Sequence, residues 1–185
     1  SDGVPVPVAD TAAVELRGGR LLSRPVLLYA AGFALAAALT GCTTVADHHY
    51  IYYPGIGYDP SAALFDEADK LGVRFMLLRG GATQTRDAEA NAPAHLRPET
   101  LDGMLADIER TVRRYHQSGP QARTRVAVAP TTLTISLRPD ELKPLARAAR
   151  ALGVPLHTHM SETVSYYEHC AERYGRLPIE VAAEH

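Results

Sequence analysis

Apolar positions along this chain recur with two different periods. Leu101, Met104, Leu105, Ile108, Val112 and Tyr115 follow the 3, 4, 7 spacing of one stripe, while Asp102, Asp107, Arg110 and Arg113 take the other faces, which predicts an amphipathic helix. A second helix is predicted where Asp59 can serve as N-cap and Pro60 as first helical residue, with Leu64, Phe65, Ala68 and Leu71 at helical spacing and Gly72 as the stop. A third is expected over residues 139–152, ended by Gly153, and another after residue 159. Between them, residues 43–47, 73–78, 125–129 and 154–159 read as short strands, and the nearly all-apolar run 73–78 suits a parallel strand covered on both faces. Strand starts are separated by roughly 30 residues or more, the length of a βα unit, so a parallel α/β fold is expected. The alternation itself fits an open doubly wound sheet and a closed barrel equally.

Composition narrows the classes. The 185 residues suffice for one compact domain, and 46% hydrophobic with 22% charged residues is ordinary globular usage, which excludes a disordered or collagen-like chain. Lys and Arg number 19 against 21 Asp and Glu, a net charge of -2, so no broad basic footprint for nucleic acid exists. Cys42 and Cys170 lie far apart in no ligand-like spacing, which argues against a disulfide framework or a cysteine zinc site and fits a reducing cytoplasm. One stretch changes the picture. Residues 25–41 form an almost uncharged run behind Arg17, Arg20 and Arg24, and they end in Leu39-Thr40-Gly41-Cys42, which looks like a secretory signal with the lipobox of a bacterial lipoprotein. Against this, the run sits behind 24 residues, is shorter than the ~20 residues of a spanning helix, and continues directly into a β-rich segment. The expectation is a packed helix with Cys42 as an unmodified core residue and no membrane contact, and a lipoprotein remains the alternative of another class. The chain opens on Ser1 and stops within a helical pattern, so an internal fragment is expected, with residues 1–24 unassigned and residues 25–185 forming one partial domain.

Chemistry is concentrated after the strands. No Gly-x-Gly-x-x-Gly turn or Walker-type loop follows any of them, no Gly-x-Ser-x-Gly elbow is present, and no Pro-Cys-x-x-Cys occurs. The connections over residues 48–58 and 79–97 are long and hold His48, His49, Tyr50, Tyr52, Tyr53, Arg79, Gln84 and Arg86. In a parallel barrel these are the loops of the C-terminal face, where ligands bind, although any one of them can equally be a plain polar loop residue. The sharpest signal is Leu156-His157-Thr158-His159-Met160-Ser161-Glu162. Residues i and i+2 of a strand project to one face, so His157 and His159 share a face, and Glu162 can reach the same place from the following loop. Two histidines packed at a strand end with backbone partners, beside a solvated glutamate, give the same spacing, and the residues leave both readings open. His95, His116 and His169 are expected at the surface.

Three segments together resemble the amidohydrolase superfamily of metal-dependent (β/α)8-barrel hydrolases, in its aminohydrolase branch. Thr40-Gly41-Cys42-Thr43-Thr44 with Asp47-His48 looks like the second barrel strand of that branch, and His157-Thr158-His159 with Glu162-Thr163 looks like its fifth. The stretch from Leu78-Arg79-Gly80-Gly81 to Gln84-Thr85-Arg86, with Asp47-His48-His49-Tyr50 and Tyr52-Tyr53-Pro54-Gly55, is similar to the isoxanthopterin deaminases and their relatives the 8-oxoguanine deaminases. The resemblance implies a partial TIM-type barrel comprising strands two to five. It implies His159 as a ligand of Zn2+ or another divalent transition metal, and Glu162 as the catalytic residue that protonates a ring nitrogen. His48, Tyr50, Arg79 and Gln84 become candidates for holding a small planar heterocycle of pterin or purine type, with 8-oxoguanine or an aminotriazine as rival substrates. The remaining ligands and a catalytic aspartate would lie on strands outside this chain, which alone should be inactive; a homo-oligomer is compatible with the pattern.

Overall fold

The computed structural model describes residues 13–16, 20–23, 32, 36, 39–84 and 97–185. Most of the apolar run 25–41, together with Arg86 and His95, lies outside them. Strands β1 (Ala13–Leu16) and β2 (Arg20–Ser23) pair antiparallel as a separate two-stranded sheet, in a region for which the sequence carried no assignment. The rest alternates as expected: β3 (Thr44–His49), α1 (Pro60–Leu71), β4 (Arg74–Arg79), α2 (Leu101–Tyr115), β5 (Thr124–Val128), α3 (Pro139–Leu152), α4 (Val164–Tyr174) and α5 (Pro178–Glu184). Strands β3, β4 and β5 form one parallel sheet in chain order, with Thr44 level with Arg74, and Phe75 with Thr124.

The caps explain the helix ends. Asp59 accepts the Ala62 N–H at 3.0 Å, Thr100 accepts that of Gly103 at 3.1 Å, and Gly72 and Gly153 close α1 and α3 with φ of 72° and 67°, a backbone that favours glycine. The helices cover one face of the sheet. Val45, Phe75, Leu77, Val126 and Val128 pack there against Leu64, Phe65, Met104, Ile108 and Leu145. The opposite face carries the smaller group Met76, Leu78, Ala127 and Ala129. Period-two alternation therefore sends successive residues of each strand to opposite sides.

Two expectations need correction. Residues 154–159 do not form a regular fourth strand. They follow β5 in parallel through single bridges, Val128 to Leu156 and Thr132 to His159. The cause is proline on both sides of the Leu156 bridge. Val128 N–H donates to Pro155 O at 2.9 Å and His157 N–H to Val128 O at 2.8 Å. The next donors of a parallel ladder would be Pro130 N in one direction and Pro155 N in the other, and neither carries a hydrogen. His116 fills part of the gap: half-buried rather than at the surface, its Nδ1 accepts the Val126 N–H at 3.1 Å. Cys42 is the second correction. It is exposed rather than part of the core, and Leu39 just before it is 79% exposed. Among the described residues no helix is long and apolar enough to cross a membrane.

Candidate functional site

The strand ends sort the expected site residues by face. On β3, Val45, Asp47 and His49 are buried on the helix side, while His48 turns the other way. On β4, Arg79 is level with His49 and shares the face of Phe75 and Leu77.

Arg79, expected as a candidate for holding a ligand, lies on the helix side of the sheet. The side chain is 1% exposed and each of its three nitrogens donates a hydrogen bond. Nε donates to Asp107 Oδ2 at 3.0 Å, Nη1 to Gly80 O at 2.7 Å and Glu99 Oε2 at 2.8 Å, and Nη2 to Glu99 Oε1 at 2.6 Å, with Asp107 Oδ2 also ion-paired 2.9 Å from Nη2. Its guanidinium also lies 3.8 Å over the Tyr52 ring. Asp107 passes the network to Arg110, which pairs with the α1 cap Asp59 at 2.9 Å. Gln84 is likewise occupied: Nε2 donates to Leu137 O at 2.8 Å and Thr134 O at 3.2 Å, stitching the loop after β4 to the loop after β5. Thr83 strengthens that seam by hydrogen bonding to the buried Glu141. Both side chains are therefore walls of the strand-end loops. Arg79 stands two residues beyond Leu77 and so shares its face of the sheet.

Electrostatics on this side follow from burial. Desolvation pushes the Asp47 carboxyl above its usual value, and its Oδ2 lies buried 3.9 Å from His49 Nδ1. His49 is pushed down to about 4, first by burial and then by the Arg79 charge. Burial raises the Tyr52 hydroxyl, which shares a hydrogen bond of 2.9 Å with Ser61.

The opposite face gathers three imidazoles. His48 stacks on His159 with ring centroids 4.5 Å apart and planes within 4°, and His157 stands edge-on to both, at 5.5 and 5.9 Å. The loop after β5 orients two of them. His48 Nε2 lies 2.9 Å from Ala129 O and His159 Nδ1 lies 3.1 Å from Thr131 O. A carbonyl only accepts, so the hydrogen sits on each of those nitrogens, and the other nitrogen of each ring keeps its lone pair. For His159 that leaves Nε2 as a free donor to a metal on an exposed ring, with the backbone carbonyl fixing the tautomer as metal-ligating histidines commonly require. The donor set thus fits one metal ligand. Among the described residues no group of three or more His, Cys, Asp or Glu forms a metal cage. Burial lowers the His48 basicity, with His159 and His157 adding to the shift and the Ala129 bond opposing it.

Ser161 adopts φ of 59°, a left-handed backbone uncommon for a non-glycine residue, and so turns the chain between His159 and the exposed Glu162. Tyr50 is 56% exposed with its ring edge-on to His48 at 6.2 Å, on the same rim. The expected residues thus divide: His48, Tyr50 and His159 meet on the open face, Glu162 follows on the adjoining loop, and Arg79 and Gln84 do not join them.

Comparison with known proteins identifies the family. The model of the amidohydrolase family matches residues 28–184, beginning inside the apolar run. An isoxanthopterin deaminase from an unknown prokaryotic organism is 55% identical over 148 residues, 80% of this chain and 31% of that protein. A crystal structure of an amidohydrolase from an environmental sample of the Sargasso Sea superposes with a TM-score of 0.77 at 49% identity, over 88% of this chain and 35% of the other. That of atrazine chlorohydrolase TrzN from Arthrobacter aurescens TC1 complexed with zinc gives 0.75 at 27% identity, over 87% and 35%. The chain spans about a third of the length of these relatives.

Proposed function

This chain belongs to the amidohydrolase family, and from that premise we propose that the whole enzyme is a cytoplasmic, metal-dependent aminohydrolase that deaminates a pterin-like heterocycle of isoxanthopterin type and releases ammonia. The observation that carries the reading is the orientation of His159. Its Nδ1 hydrogen is committed to Thr131 O, which leaves the Nε2 lone pair available to a metal, three residues before a glutamate on an exposed loop. The zinc in the TrzN structure supports a divalent metal. When bound, such an ion supplies a water activated near neutral pH. His159 holds it at the end of the interrupted fourth strand. Glu162 donates a proton to the ring nitrogen beside the amine-bearing carbon, water adds to that carbon, one water proton goes to the amino group and the other restores Glu162, and the C–N bond breaks to release ammonia. Tyr50, exposed on the same rim, offers an aromatic face and a hydroxyl to the planar ring.

The test uses the intact enzyme loaded with zinc and ammonia release from isoxanthopterin. Glu162→Gln keeps the shape but has no proton to give, so turnover should fall by roughly 10²–10⁴ while metal content stays unchanged. Near-normal ammonia release by that variant would refute the proton-donor role. Wild-type enzyme that ignores pterins but deaminates 8-oxoguanine or an aminotriazine would leave the chemistry standing and remove the substrate assignment.

A further inference from the structure

We propose that His48 is the positioning residue of the metal ligand: its ring is a fixed plate against which His159 is held, and it acts through His159 rather than by touching substrate. The inference rests on the reading of His159 as a ligand. Four observations carry it. The two rings are parallel, 4.5 Å apart between centroids and 4° between planes, so any tilt of His159 toward β3 runs into His48. Both rings hang from one backbone segment, His48 from Ala129 O at 2.9 Å and His159 from Thr131 O at 3.1 Å, so a single extended stretch sets both tautomers and the spacing of the stack. Room for the plate is made by Gly80 on the intervening strand end. A Cβ there would stand 2.8 Å from His48 Nε2, 2.9 Å from Cδ2 and 2.9 Å from His49 O, yet the Gly80 backbone adopts no conformation that requires glycine. Space is what that position supplies. Finally, His48 Nδ1 is fully buried with no hydrogen-bond partner, which closes its remaining polar atom to a ligand and leaves the ring face as its useful surface.

A ligand imidazole that swings freely must lose that freedom when the metal binds, and a preoriented one has already done so. Partners that orient metal-binding histidines are worth about 10–100-fold in affinity. The expected signature is therefore on metal binding, ahead of substrate binding.

The experiment is a zinc competition titration of the intact enzyme against a chromophoric chelator, for His48→Ala, His48→Phe and Gly80→Ala, beside KM and kcat of each variant at saturating zinc. His48→Ala should bind zinc roughly 10–100-fold more weakly with KM little changed. His48→Phe restores a flat ring without the ring nitrogens and should recover most of the affinity. Gly80→Ala, which displaces the ring without removing it, should weaken zinc in the same direction and keeps the test alive where His48→Ala fails to fold. His48→Ala binding zinc like wild type overturns the inference, and a raised KM in that variant would make His48 a substrate contact instead. His159→Ala is the control that separates the two levels: unchanged zinc binding there overturns the ligand reading, whereas loss there with wild-type affinity in His48→Ala overturns only the role of His48.

Discussion

The two faces of the sheet treat their polar side chains in opposite ways. On the helix side, Arg79 binds Glu99, Asp107 and the Gly80 carbonyl through all three of its nitrogens, and the network runs on through Arg110 to the cap of α1. On the open side, three imidazoles meet with one nitrogen of His48 and one of His159 bound to backbone carbonyls and the second nitrogen of each left over. A network paired internally stores stability, whereas the exposed His159 ring, oriented and with a spare lone pair, is poised for a ligand. Strand parity alone decides which residue goes where, and the two sets stand on the same strand ends.

The contrast makes the helix side the place where substitutions cost stability. Arg79→Ala in the intact enzyme leaves Glu99 and Asp107 without their shared cation and should cost about 3–5 kcal/mol, a drop in Tm of roughly 10 °C, with Arg79→Lys recovering only part because it lacks the planar fork. An unchanged Tm would mean that the network is ornamental.

Acid probes the same side. His49 titrates at about 4 in the fold against an ordinary 6.5, so above pH 6.5 it is neutral in both states and its contribution is complete. As pH falls from 6.5 toward 4 the unfolded chain binds the proton and the folded one does not, which removes roughly 3 kcal/mol. Denaturant unfolding at pH 7 and pH 4.5 should show that loss in the wild type and much less of it in His49→Gln.

The adjacent glycines sharpen the comparison further. A Cβ on Gly81, whose φ is 149°, would lie 2.5 Å from Glu99 Oε2 and 2.8 Å from Arg79 Nη1, whereas one on Gly80 meets His48 on the other face. Gly81→Ala should cost about 1–3 kcal/mol by strain and crowding and leave zinc affinity of the folded enzyme alone. Gly80→Ala, which crowds the His49 carbonyl as well as the His48 ring, should lower zinc affinity in addition to Tm. Thermal melts and zinc titrations on both variants check the pair, and identical profiles would deny that the faces are distinct.

Much of this was legible in the chain. The stripe from Leu101 to Tyr115 and the signals Asp59, Pro60, Gly72 and Gly153 mark their helices because local capping chemistry is written in a few residues. The His157-Thr158-His159 spacing pointed to a shared site, and the structure joins His48 to it across three strands, a contact that no local pattern reveals. The internal partners of Arg79 and Gln84 were not legible: polar residues in strand-end loops look alike in sequence, and which of them find such partners depends on Glu99, Asp107 and Leu137, which lie elsewhere along the chain. Pro130 and Pro155 were in plain view, but that they break a ladder emerges only when the strands are set side by side.

The central claim is that the open face, through His159, holds the metal. Metal analysis of purified intact enzyme tests it most directly, comparing wild type with His159→Ala and with Arg79→Lys as a control from the other face. The account predicts that His159→Ala loses bound zinc and activity together, because a three- or four-ligand site loses much of its affinity with one ligand, while Arg79→Lys keeps its zinc at a lower Tm. A folded His159→Ala enzyme that retains the wild-type zinc content would contradict it.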